Sequence, residues 1–111
     1  MLFDGAYNKE GAGIRVVLVP PEGERITISH KLPFETTNNV IKYEALILGL
    51  EVAKKMGVRN ISSFGDSELV VHQIKQQYQC IHSRMRSYRN YVLDMVDNVF
   101  DDFDITSIPR E

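Results

Sequence analysis

Apolar residues before Leu32 come in short runs parted by polar turns, whereas after Thr37 they recur every three or four positions, so the chain changes from strand to helix there. Residues 1–6 form a short apolar start, 13–19 are β-branched and apolar, and 25–32 alternate, with Ile26, Ile28 and His30 on one face. Asn8-Lys9-Glu10-Gly11 and Pro20-Pro21-Glu22-Gly23 separate these runs, and connections this short predict an antiparallel meander. Thr37 and Asn38 both suit a helix N-cap; Ile41, Ala45, Leu48, Val52, Ala53 and Met56 follow at helical spacing until Gly57 ends the helix. Residues 58–64 read as a strand, and Asp66-Ser67 opens a second helix with Leu69, Val70, Val71 and Ile74. A third helix over 83–100 carries Met85, Tyr88, Val92, Met95, Val96 and Val99, and 103–108 is a last strand. Strands that follow helices imply crossovers and parallel neighbours, so the order βββαβααβ predicts a mixed five-stranded α/β sheet with helices on it.

The chain's 111 residues suit a single domain, 1–111. Its composition, 43% hydrophobic and 25% charged, is that of a folded globular chain and excludes disorder and a disulfide scaffold. The net charge of −2 removes bulk attraction to nucleic acid, so any such binding has to come from a local patch. A single cysteine, Cys80, cannot form an internal disulfide, which fits a reducing, intracellular compartment. No apolar stretch approaches the roughly 20 residues that span a bilayer, and no leader pattern precedes the first strand. A monomer without membrane contact is the expectation.

Chemistry in such a sheet is sought where an acidic residue interrupts or ends an apolar strand, because a buried carboxylate is costly unless paired or metal-bound. Asp4 follows Leu2-Phe3 inside the first strand, and Asp66 follows Phe64-Gly65 at the carboxyl end of the fourth. If those strands are adjacent and parallel, the two carboxylates form half of a divalent-cation site of the kind that supports phosphodiester cleavage. Each also has a plain structural reading. Asp4-Gly5 can begin a turn, and Asp66-Ser67 can cap a helix.

Taken together, the runs Phe3-Asp4-Gly5-Ala6, Gly11-Ala12-Gly13, Thr37-Asn38-Asn39, Tyr43-Glu44-Ala45-Leu46-Ile47 and Gly65-Asp66-Ser67-Glu68-Leu69-Val70-Val71 resemble ribonuclease H in order and spacing. Ile108-Pro109-Arg110-Glu111 resembles the segment before that family's final helix, so the likeness covers the whole chain. It is most similar to the ribonuclease H domains of plant retrotransposon polyproteins and their archaeal-type cellular relatives. The resemblance implies five strands in the order 3-2-1-4-5 and hydrolysis of the RNA strand of an RNA–DNA hybrid. It also implies Mg²⁺, or Mn²⁺, held by four carboxylates, of which Asp4 and Asp66 are two, and hybrid contacts from Thr37, Asn38 and Asn39.

Two of those four carboxylates have no counterpart here. The position of the second, three residues after Asn39, is Lys42, and the fourth lies in a helix beyond Arg110-Glu111. Helix geometry separates Lys42 from nearby Glu44, since residues rotate by about 100° each and the two stand about 200° apart. Lys42 falls with Ala45, Leu46, Gly49, Ala53 and Met56 on the stripe expected against the sheet, and Glu44 with Glu51 and Lys55 on the wet side. Two placements are open to Lys42: an ion pair with Asp4, Asp66 or both, which weakens metal binding by repulsion, or a snorkelling amine that reaches water.

The remaining candidates carry less chemistry. Lys75, Arg84, Arg86 and Arg89 are candidate phosphate contacts, with a solvated charged face as the alternative. His30, His72 and His82 lack a ligand spacing with Cys80 or the carboxylates, which argues against zinc. Ser67 has no base partner and reads as a cap; Tyr78, Tyr88 and Tyr91 read as packing residues. The expected product is a ribonuclease H-like domain whose catalysis is impaired, or a non-catalytic nucleic-acid-binding or structural relative.

Overall fold

The β-branched and apolar runs at the start of the chain build three strands in the computed structural model, which describes residues 1–8, 11–33, 37–76 and 83–109. These are β1 (Leu2–Asn8), β2 (Gly11–Leu18) and β3 (Ile26–Leu32). Helix α1 (Asn38–Lys55), strand β4 (Asn60–Gly65), helices α2 (Glu68–Ile74) and α3 (Ser83–Val99), and strand β5 (Asp102–Ser107) follow. The sheet order is β3-β2-β1-β4-β5, with β1–β2 and β2–β3 antiparallel and β1–β4 and β4–β5 parallel. This is the expected mixed sheet, and the parallel pairs are the ones reached through helical crossovers. Lys9, Glu10, Tyr78, Cys80, His82, Arg110 and Glu111 lie outside the described residues.

Strand alternation sorts the sheet into two faces. Phe3, Ala12, Ile14, Val16 and Leu18 are buried against Ile41, Ala45, Leu46, Leu50 and Ala53 of α1, with Val70, Val71 and Val92 adding the cover of the other helices. The opposite face carries exposed Leu2, Asp4, Arg15, Thr27, Ser29, Ser62 and Asp104. Helix α1 lies especially close to β1 at Gly5, where a side-chain carbon would collide with the Ile41 side chain and come within 3.3 Å of the Gly13 carbonyl. That approach sets the height of the first helical turn above the sheet.

Helix α1 starts and stops on side-chain and backbone signals. The Thr37 hydroxyl accepts from the Val40 N–H at 3.3 Å, so Thr37 is the N-cap. At the other end Gly57 adopts φ +78° and donates to the Lys54 carbonyl, while Val58 donates to the Ala53 carbonyl at 3.0 Å. This is the paired 6→1 and 5→2 closure of a Schellman motif, and it uses Val58 as part of the cap. The fourth strand therefore begins at Asn60 instead of residue 58.

The far side of α1 differs from the expectation of a wet face. Glu44 accepts the Tyr88 hydroxyl at 2.5 Å and Glu51 accepts the Tyr91 hydroxyl at 2.5 Å, because α3 lies alongside. Tyr43, fully buried, stacks on Tyr88 with ring centroids 5.9 Å apart and donates to Gln73 Oε1 at 2.6 Å. Met56, expected on the sheet-facing stripe, is half exposed, since the helix has already begun to close there. Among the described residues no helix is long and apolar enough to cross a membrane.

Candidate active site

Register brings the two aspartates together. On the parallel pair β1–β4, Leu2 lies beside Phe64 and Phe3 beside Gly65. One further step along both strands brings Asp4 alongside Asp66, just where β4 has ended and the chain turns into α2. Ser67 makes that turn: its hydroxyl accepts from the Val70 N–H at 3.2 Å and caps α2, as its sequence position suggested. Asp4 accepts from the N–H of Gly5 at 2.8 Å, which fixes one carboxylate oxygen at the strand surface.

Lys42 completes the group from above. It occupies the second turn of α1, next to the Ile41 side chain that sits over Gly5, and its ammonium donates to Asp66 Oδ1 and, at 3.4 Å, to Asp4 Oδ1. The lysine and Asp66 side chains are only 10% and 12% exposed, whereas Asp4 is 64% exposed. Of the two placements open to Lys42, the structure thus takes the ion pair with both carboxylates. Inward placement of an ammonium is favoured only when such partners exist, because an isolated buried charge has no counterpart for its lost hydration.

A magnesium ion requires a near-octahedral oxygen shell at about 2.0–2.1 Å, completed by waters that it gives up reluctantly. One oxygen of Asp4 and one of Asp66 are instead engaged by the same ammonium, and repulsion opposes a divalent ion beside it. Among the described residues no group of three or more His, Cys, Asp or Glu converges as a metal-binding set. The residues present do not fit a Mg²⁺ or Mn²⁺ ion seated between Asp4 and Asp66.

Other sequence candidates fall into two groups. Thr37, Asn38 and Asn39 stand at the start of α1, Asn38 one helical turn before Lys42. Lys75 ends α2, while Arg84 and Arg86 are exposed on α3; Arg84 also hydrogen-bonds toward Tyr88. His30 is exposed on β3, and His72 lies on α2. Arg15 was not singled out in the sequence, yet it is the cross-strand partner of Asp4. Arg15 comes to lie opposite Asp4 only through the register of the β1–β2 hairpin, which the turn alone did not specify.

A family model described as reverse transcriptase-like matches residues 2–111. Ribonuclease HI of Halobacterium salinarum is 34% identical over 110 residues, which is 97% of this chain and 55% of that protein. The chain therefore spans about half the length of the curated relative it matches. The crystal structure of a ribonuclease H1 from the same archaeon superposes with a TM-score of 0.89 at 33% identity, covering 98% of this chain and 83% of that one. A ribonuclease H1 isolated from compost, solved in complex with an RNA/DNA hybrid, superposes at 0.87 with 28% identity over 98% of this chain and 83% of its own. With its strand order, its matched length and these relatives in agreement, the chain belongs to the ribonuclease H family.

Proposed function

We propose that this domain engages RNA–DNA hybrids and that its hydrolysis of the RNA strand is impaired, Asp4 and Asp66 being the surviving catalytic and metal-ligand positions of the family site. The observation that carries this reading is the Lys42 ammonium bound to both carboxylates. An ammonium balances their charge but offers no open coordination position on which a water can be activated, and it holds one oxygen of each carboxylate. Hybrid engagement is supported by the related ribonuclease H1 solved with an RNA/DNA hybrid and by the polar trio Thr37, Asn38 and Asn39 at the start of the helix that carries Lys42. Hydroxyl and amide groups of this kind can address base edges and 2′-hydroxyls without a strongly basic surface, which suits a chain of net charge −2.

Cleavage of a hybrid labelled on its RNA strand, with Mg²⁺ or Mn²⁺ supplied, tests the reading. Weak or no cleavage by the natural chain, hybrid binding lost in the Asn38→Ala/Asn39→Ala double variant, and a gain of cleavage in Lys42→Glu are expected. Cleavage by the natural chain as fast as by Lys42→Glu would overturn the impairment. Failure of the folded natural chain to bind hybrid at all would overturn the hybrid reading and favour a structural or protein-contact module of a retroelement-derived protein.

A further inference from the structure

Lys42 and Tyr43 are neighbours on α1, yet their side chains meet opposite ends of α2. The Lys42 ammonium binds Asp66, which stands one residue before the Ser67 cap, and the Tyr43 hydroxyl donates to Gln73 Oε1 at 2.6 Å. The cap and Gln73 are about 9 Å apart along the helix axis. Helix α2 is therefore tied to α1 at both ends, once through the candidate active site and once through the core.

The second tie governs the first. With seven residues α2 is too short to hold its place unaided, so its position comes from what it packs against. Val70, Val71 and Ile74 supply apolar burial, which scales with area and has no direction. Gln73 is the one polar side chain of α2 that is buried, 3% exposed, and Tyr43 is buried with its ring stacked on Tyr88 of α3. Their hydrogen bond is directional and strengthened by dry surroundings, and a slide or rotation of α2 along α1 breaks it. Any such shift also carries Asp66, because only Ser67 separates it from the helix. On the reading above, in which Asp66 is a surviving catalytic position held by Lys42, we propose that Tyr43 and Gln73 are positioning residues of this site. Their bond fixes α2 against α1 and thereby places Asp66 at the Lys42 ammonium.

Nitrogen-15 NMR of the lysine ammonium groups reads that placement, through the coupling across the hydrogen bond from Lys42 Nζ to the Asp66 carboxyl carbon and through the order parameter of the ammonium. The natural chain should show the coupling and an ordered ammonium, and Tyr43→Phe and Gln73→Met should each lose the coupling and lower the order parameter. The Tyr43→Phe/Gln73→Met double variant separates placement from mere stability. Removing both polar groups of a buried pair restores much of the stability, whereas the ammonium should stay disordered because nothing directs α2. Val16→Ala opens a cavity beneath Gly49, two turns along α1 from Lys42, and should cost stability while keeping the coupling. In the Lys42→Glu background the double change should lower kcat by roughly tenfold or more at unchanged KM. The inference falls if the coupling survives in both single variants, if it returns in the double variant together with stability, or if Val16→Ala loses it equally. A natural chain without the coupling sinks the ion pair on which the proposed function rests. Cleavage by Lys42→Glu that is equally fast with and without the Tyr43–Gln73 bond sinks the positioning role alone.

Discussion

At the scale of single residues, Lys42 shows how far helical phase carries. Its inward direction follows from a rotation of about 100° per residue, and the structure places its ammonium on Asp66 and Asp4. Glu44 and Glu51 point away from the sheet as their phase implied, but the pattern of one helix cannot reveal that Tyr88 and Tyr91 of another will hydrogen-bond to them. Replacing Lys42 by Met leaves Asp66, 12% exposed, without its cation. Truncating one partner of a buried pair is more damaging than the pair is stabilising, and with Asp4 largely in water the expected loss is about 2–3 kcal/mol. Urea denaturation of Lys42→Met and of the Lys42→Met/Asp66→Asn double variant checks this: the double variant should recover part of the loss, since the orphaned charge goes with it. For the same reason Mg²⁺ should raise the melting temperature of Lys42→Glu and leave that of the natural chain unchanged, because only a ligand bound by the folded state stabilises it.

Among the elements, the junctions decide most. The start of α1 was legible in Thr37, a short side chain able to accept a backbone N–H, and its end in Gly57; the two residues that the closing motif withdraws from the next strand were not, because a Schellman closure is a backbone arrangement that Val58 and Arg59 do not advertise. Gly5→Ala should cost about 1–3 kcal/mol, since a methyl group there meets Ile41 and forces α1 away from β1. Chemical denaturation measures the loss, and the same displacement should loosen the reach of Lys42. The α1–α3 contact has its own pH signature. Burial, then the hydrogen bond and charge of Glu44, hold the Tyr88 phenol above its ordinary value, and the Glu51 hydrogen bond followed by burial does the same for Tyr91. A phenol raised on folding contributes stability that is complete below its unfolded pKa, about 10, and is lost as pH rises through the folded value. Thermal melts should therefore fall steeply above about pH 10, and Tyr88→Phe should flatten that decline while lowering stability at neutral pH.

Across the whole molecule, alternation along the strands indicated a sheet with one covered face, and the crossover rule indicated which pairs are parallel. The placement of β1 at the centre between β2 and β4 came from likeness to ribonuclease H, because strand periodicity carries no information on lateral order. The position of Arg15 escaped for a related reason: it acquires meaning only once the β1–β2 register sets it opposite Asp4.

That central position has a mechanical side. Between β1 and β4 the described ladder registers Leu2 with Phe64 and Phe3 with Gly65, and Met1 adds bonds to the Ser62 carbonyl and the Phe64 N–H, so the meander with α1 and the remaining β4-to-β5 unit are stitched along a short line. Lys42 reaches from the first unit to an aspartate of each, which makes it a rivet across the join. Amide protons flanking that line should exchange with deuterium sooner in Lys42→Met than those of the β2–β3 ladder, and by a larger factor than overall destabilisation accounts for. The residue we propose to impair cleavage is then also one of the ties, with the Tyr43–Gln73, Tyr88–Glu44 and Tyr91–Glu51 hydrogen bonds, that hold the two units together.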